Sequence, residues 1–151
     1  MRRKTVGQPK KIALVKPARI GIVVARFHND LTEKLLAGAL RVLKMIGIQE
    51  DRITVVWVPG TFELLLACQK LVQQKKFNAL IALGCVIQGA TDHHLLVGSE
   101  AAGGIMQVSL THNIPIGFGV ITANTLAQAR ERAGDKENRG EEAAHAALAM
   151  L

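Results

Sequence analysis

Apolar positions along this chain switch repeatedly between two spacings. Residues 19–25 (RIGIVVA) form a short, β-branched run, which suits a buried strand. From 30 to 46, Leu36, Leu40 and Leu43 recur at helical spacing, and Gly47 supplies a stop. Asp30 and Glu33 make a D-x-x-E start, in which each side chain could satisfy an orphan amide of the first turn. Residues 53–58 (ITVVWV) read as a second strand, ended by Pro59-Gly60. A second helix is expected over 61–75, carrying Phe62, Leu65, Leu66 and Leu71, with Lys75 and Lys76 at its negative end. Residues 79–87 (ALIALGCVI) are almost wholly apolar, as a central parallel strand covered on both faces should be. A third helix is expected over 95–110, with Ala101, Ala102, Gly103 and Gly104 at its middle. Glycine there costs about 1 kcal/mol against alanine, so a close neighbouring helix is the expected reason for it. Residues 116–121 (IGFGVI) form the fourth strand. Thr125 and Gln128 make a second capping box opening a helix to Ala133, a polar turn covers 134–139, and an Ala-rich helix fills 141–151.

Strands alternating with helices argue for an α/β fold, a four-stranded parallel sheet with helices on both faces. Right-handed crossovers align the C-terminal ends of such strands along one edge, where ligands bind. The expected organisation is one domain over 19–151 preceded by an arm over 1–18.

Composition narrows the class. The chain has 151 residues, 49% apolar and 21% charged, which excludes a disordered polymer and fits one domain. No apolar stretch approaches the roughly 18 residues of a membrane span. The basic start lacks an adequate apolar core and a cleavage-like site, so no signal peptide is expected. Cys68 and Cys85 lie inside apolar runs without metal-ligand spacing. They fit a reduced, cytoplasmic protein. The net charge of +7 is concentrated: seven cations and no acid fall in the first 19 residues, leaving twelve bases and twelve acids beyond. The arm reads first as a solvated leader, since no aromatic is interleaved to stack on bases. Phosphate contacts with nucleic acid are the alternative.

The candidate chemistry gathers in loops after the strands. Only four Phe and one Trp occur in the chain, yet Phe27, Phe62 and Phe118 lie within or just before these loops. That placement suits a flat ligand, although Phe62 at a helix start could equally cap the sheet edge, and for Phe118 inside a strand capping is the favoured reading. Gly89-Ala90-Thr91 leads from a buried strand towards a helix, where backbone amides can cradle a phosphate. His93 and His94 follow; a histidine there can carry protons near neutral pH, or both can simply face solvent. No further Cys or acid cluster supplies a metal site. The G-x-S-x-G, G-x-x-x-x-G-K-[ST] and post-strand G-x-G-x-x-G patterns are absent, which disfavours triad hydrolysis, triphosphate and dinucleotide chemistry.

Three runs carry a resemblance: residues 58–63 (VPGTFE), residues 82–93 (ALGCVIQGATDH), and Arg132-Ala133-Gly134 through Asn138-Arg139-Gly140. In this order, over about 19–151, the chain resembles the 6,7-dimethyl-8-ribityllumazine synthases of riboflavin synthesis. The resemblance implies a flavodoxin-like three-layer αβα sandwich that joins 5-amino-6-(D-ribitylamino)uracil to 3,4-dihydroxy-2-butanone 4-phosphate without cofactor or metal. It further implies a homo-pentamer with sites between subunits, admits an icosahedral shell, and brings in riboflavin synthase as a candidate partner. By motif position, Phe27 would stack on the pyrimidine. Thr61 and Glu63 would meet the ribityl chain, Phe62 would be a further substrate-binding residue, and Val86 and Ile87 would line the ring pocket. Gly89, Ala90 and Thr91 would hold the phosphate, and His93 would shuttle protons. Phe118 and Arg132 would come from the neighbouring subunit. Glu142 would orient that arginine, and Arg139 stands at the family's lysine before the last helix.

The sequence departs from the family's pattern at four points near these motifs. Gln88 replaces a frequent basic residue and His28 a frequent Asn. His94 and Leu95 stand where an aromatic and then an acid are usual. Gln88, His94 and Leu95 support an alternative expectation, a catalytically weakened shell protein that binds flavin or lumazine.

Overall fold

The computed structural model describes residues 17–151; the greater part of the basic arm lies outside them. Four strands, β1 (Ile20–Ala25), β2 (Ile53–Val58), β3 (Ala79–Ile87) and β4 (Ile116–Ala123), form one parallel sheet in the order β2-β1-β3-β4. The helices are α1 (Asn29–Ile46), α2 (Leu64–Gln73), α3 (His93–His112), α4 (Leu126–Arg132) and α5 (Arg139–Ala149).

Period-two alternation builds the three layers. On β1 and β3, Ile20, Ile22, Val24, Ile81, Leu83 and Cys85 pack against α1, α4 and α5. Their neighbours Val23, Ala25, Leu80 and Ala82 pack against α2 and α3. The central strands are therefore buried on both faces, as the unbroken apolar runs require. The packing begins at Ala18, which is buried in the same core.

Several elements differ from expectation for identifiable reasons. The Asp30–Glu33 capping box does not form. The cap position of α1 is His28, in the left-handed conformation at φ 57°, with no side-chain cap. The β1–β2 ladder runs on through Arg26 and Phe27, whose amides donate to Val58 and Pro59 at 2.8 and 3.1 Å. The chain must then turn into the helix within one residue, and His28 makes that turn. Asp30 is left inside the first turn, where the helix dipole favours an acid. The buried stripe of α1 is Leu31, Leu35, Ala39, Val42 and Leu43. Leu36 and Leu40 sit at its margin. Residues 61–63 form a single 3-10 turn before α2, and Lys75 lies past the helix end at φ 55°.

The small residues of α3 do mark a close approach, but at one position. A Cβ on Gly104 would stand 2.8 Å from Leu65 of α2, whereas Gly103 faces open space. Gly117 plays the equivalent part on β4, where a Cβ would run into the carbonyl of Ala143. Of the two expected boxes, Thr125 does cap α4: its Oγ1 accepts from the Gln128 amide at 3.1 Å. The Gln128 side chain reaches the amide of Asn124 instead of returning to Thr125.

Cys68 and Cys85 are free and buried. Burial pushes the Cys68 thiol up from 9.0 to about 12. Burial, then the nearby Asp30 charge, pushes Cys85 up to about 11. Below the unfolded value both thiols are neutral in both states. Above it the unfolded chain ionises first, so stability falls as pH rises from 9 towards 12. Urea unfolding across that range should show a shallower loss in Cys68→Ala than in the parent chain; equal slopes would refute the thiol's part.

Candidate functional site

The C-terminal ends of β1, β2 and β3 open into one crevice of about 460 Å³. Among its walls are Phe27 and His28 after β1, Gly60 to Glu63 after β2, and Cys85, Val86 and Ile87 of β3. Gly89, Thr91, His93, His94 and Val97 complete it from the turn and the start of α3. Eleven of these fourteen positions come from the quoted motifs or Phe27, so residues far apart in sequence meet as the topology demands.

Phe27 is 67% exposed and Phe62 is 55% exposed. Each ring holds apolar surface at the rim, available to a planar ligand. Phe27 stands edge-on to the His28 imidazole, with ring centroids 4.7 Å apart. Its backbone is fixed by the extended ladder to Pro59. Across the crevice, Val86 and Ile87 are half-buried at the end of β3, giving an apolar wall. The last ladder bond of that strand, from the Gln88 amide to Ala123 at 2.9 Å, directs the chain into the turn.

In the turn, Gly89, Ala90 and Thr91 are exposed. Among the described residues none accepts a hydrogen bond from their amides. The turn leads into the N-terminus of a 20-residue helix, α3. Free amides beside a positive helix end are an anion site in general chemistry. Thr91 Oγ1 accepts from the His93 amide at 3.4 Å, and His93 itself is exposed at the rim. Ala90 lies in the turn without lining the crevice.

The two histidines, which could both have faced solvent, separate. His94 is only 6% exposed. Consecutive residues on a helix point about 100° apart, so His93 meets the rim while His94 joins the stripe facing the sheet. Thr61 is also buried, and its Oγ1 lacks a partner. His28, Cys85, Gly60, His94 and Val97 were not picked out as site residues by the sequence. Gly60 and Cys85 stood inside the quoted runs, His28 and His94 stood out as departures from the family's pattern, and only Val97 carried no signal.

Residues 17–151 match the family model for 6,7-dimethyl-8-ribityllumazine synthase. The chain belongs to the lumazine synthase family. The four-stranded parallel sheet and its flanking helices are the three-layer architecture of that lumazine synthase fold. No helix among the described residues is long and apolar enough to cross a membrane. No cluster of three His, Cys, Asp or Glu among them could hold a metal ion.

Four residues assigned by resemblance to the lumazine synthase site stand apart from the crevice of this protomer: Phe118, Arg132, Arg139 and Glu142. Phe118 projects from the edge strand β4 and is 42% exposed. Arg132 ends α4; its guanidinium donates to the Gln128 carbonyl at 3.2 Å and lies 3.7 Å from Glu131. Glu142 does not meet Arg132. Its carboxylate pairs with Arg139, which also reaches Glu137 at 3.3 Å. Glu142 and Arg139 are three positions apart at the start of α5, facing one another on one side of the helix, so the expected orienting contact is replaced within the protomer.

Proposed function

We propose that the protein condenses 5-amino-6-(D-ribitylamino)uracil with 3,4-dihydroxy-2-butanone 4-phosphate, giving 6,7-dimethyl-8-ribityllumazine, phosphate and water. One observation carries this reading: the crevice joins an exposed aromatic ring, an apolar wall, an anion-type turn and a rim histidine, in a chain of this family. Phe27 stacks on the pyrimidine, and Val86 and Ile87 support it from the other side. Thr61, Phe62 and Glu63 border the ribityl chain. Gly89, Ala90 and Thr91 take the phosphate.

The chemistry uses these parts without a protein nucleophile or cofactor. The amine adds to the ketone, and water leaves to form an imine. Phosphate is then eliminated as the neighbouring carbon loses a proton, the enol left behind becomes a ketone, and the ribitylamino nitrogen attacks that carbonyl, closing the ring as a second water leaves. Positioning both substrates removes much of the entropic barrier. His93 moves protons between steps. The amides of the turn meet the charge that grows on the departing phosphate oxygen.

Phe118, exposed on β4, and Arg132, half-buried at the end of α4, both lie outside the crevice and complete the site of a neighbouring copy in a homo-pentamer. Arg139 and Glu142, paired beside the turn that follows α4, hold the segment bearing Arg132. A hollow shell of pentamers, riboflavin synthase as partner and a cytoplasmic location extend the same reading. A second reading is a ligand-binding shell protein with weakened catalysis. Its support is Leu95, which is exposed where the family usually has an acid, leaving no carboxylate beside His93 at that position. Incubating the protein with both substrates should raise lumazine absorbance well above the spontaneous rate. Tight binding of the product without acceleration would select the second reading and overturn the first.

A further inference from the structure

The strands are entered at the edge of the sheet opposite the crevice. There the last turns of α1, α2 and α3, and the residues that lead from them into β2, β3 and β4, lie together with residues 17–19 before β1. These segments, 17–19, 44–52, 70–78 and 109–115, hold six Lys or Arg and two acids. The segments that leave the strands at the crevice, 26–30, 59–63, 88–94 and 124–125, hold one Arg and three acids. The body of the chain, neutral in total, is therefore polarised across the sheet, with its positive side away from the crevice.

The cations of the positive edge fall in a row. Ile20 pairs with both Ile53 and Ala79. Arg52 and Arg19 therefore start adjacent strands at one level, and Lys75 and Lys76 enter the third; neighbouring strands stand about 4.8 Å apart. Arg19 is tied in place: its amide donates to Asn78 Oδ1 at 2.8 Å, and its guanidinium donates to the Asp51 carbonyl at 3.5 Å. Lys44, Lys70, Lys75 and Lys76 are exposed. The ion pairs among the described residues involve none of these cations. The helix dipole accounts for Lys44 and Lys70 in the last turns of α1 and α2. It does not account for Arg19 and Arg52 at strand starts. Lys75 is moreover held in the left-handed conformation at φ 55°, which Gly or Asn adopts at less cost. The chain before residue 17 joins at this same edge and brings six further Lys or Arg without an acid.

We propose that this edge, continued by the basic segment before residue 17, binds the phosphate backbone of nucleic acid without reading its bases. A row of cations suits a linear polyanion, whose duplex form carries one charge per about 1.7 Å. The one aromatic of the edge segments, Phe77, is half-buried with Lys76 Nζ over its ring at 5.2 Å, which leaves it poorly placed to stack on bases. The exposed large apolar side chains there, Met45 of α1 and Leu110 of α3, belong to opposite layers. They give neither the apolar face that holds a lipid surface nor the apolar centre of a protein interface. No residue of the crevice takes part, so nucleic-acid binding and lumazine formation can succeed or fail separately.

The test measures binding of the full-length protein to a fluorescent DNA duplex of about 20 base pairs over a range of salt. Affinity should fall at least about a hundredfold between roughly 50 and 200 mM salt, as four or so phosphate contacts require, and should be equal for duplexes of unrelated sequence. Neutralising the edge with Lys70→Gln, Lys75→Asn and Lys76→Gln together should weaken binding about tenfold or more and flatten the slope of log affinity against log salt by about 2. Lys70→Arg, Lys75→Arg and Lys76→Arg together keep the charge and should keep the affinity. A control, Lys34→Gln, Arg130→Gln and Lys136→Gln, removes as many charges from exposed positions elsewhere. It should stay within about threefold of the parent, since charges beyond about 10 Å are largely screened. An equal loss in edge and control variants would mark net charge alone and overturn the proposal. So would an indifferent edge variant, even where neutralising the cations before residue 17 abolished binding, because the contacts would then lie outside the edge. A strong preference for one duplex sequence, or tighter binding to vesicles of anionic phospholipid than to the duplex, would also overturn it.

Discussion

Replacing His93 by Ala should lower kcat for lumazine formation by about 10²-fold, the lower bound usual for a positioned proton carrier. KM for both substrates should change little. The side chain stands at the rim, and its amide bond to Thr91 Oγ1 survives the substitution. Activity should not vanish, because Phe27, the β3 wall and the turn still hold the two reactants together, and proximity alone supplies a large part of the acceleration. A matching rise in KM with unchanged kcat would show instead that His93 binds substrate and does not move protons. The ratio of kcat to KM under saturating and limiting phosphate-bearing substrate separates the two outcomes.

The largest expected effect on folding belongs to Asn138. Its Oδ1 accepts from the amides of Gly140 and Glu141 at 2.8 and 3.1 Å, capping α5. Its Nδ2 donates to the Lys34 carbonyl of α1 at 3.1 Å. The residue is 4% exposed, so water does not replace these bonds readily. Asn138→Ala should cost roughly 3 kcal/mol: about 1–2 from the cap and the remainder from leaving the Lys34 carbonyl without its partner. The Arg41–Glu141 ion pair links the same two helices at 2.8 Å but is solvent-exposed, and Arg41→Ala should cost under about 1 kcal/mol. Urea unfolding of the two variants checks the contrast. Equal losses would mean that the helix pair is held mainly by surface charge.

The layers of this fold were legible because β1 and β3 are buried on both faces, and an uninterrupted apolar run has few other uses. The strand order followed from that pattern only as far as a parallel sheet with crossovers. Helix boundaries were less legible. Asp30 and Glu33 matched a capping pattern, but the ladder beyond β1 fixed the turn at His28 and left the box unused. Asn138 stood in the third quoted run without a structural role, because much of its value lies in a contact with Lys34, 104 residues away, which no local pattern records. In the site, Phe27, Glu63, Thr91 and His93 could be picked out because they follow strand ends, where the topology gathers chemistry. Cys85 and Val97 could not, since apolar residues in a strand or helix look alike whether or not they border a crevice. His94 shows the limit most clearly: its neighbour His93 has the same side chain, and only the helical turn between them decides which faces the sheet.

A crystal structure of the protein with 6,7-dimethyl-8-ribityllumazine and inorganic phosphate would address the proposed site most directly. The expected result is the bicyclic ring stacked on Phe27 against Val86 and Ile87, with phosphate on the amides of Gly89 to Thr91 and with Phe118 and Arg132 reaching in from a second copy. A ring bound away from Phe27, or a phosphate held elsewhere on a solitary protomer, would contradict it.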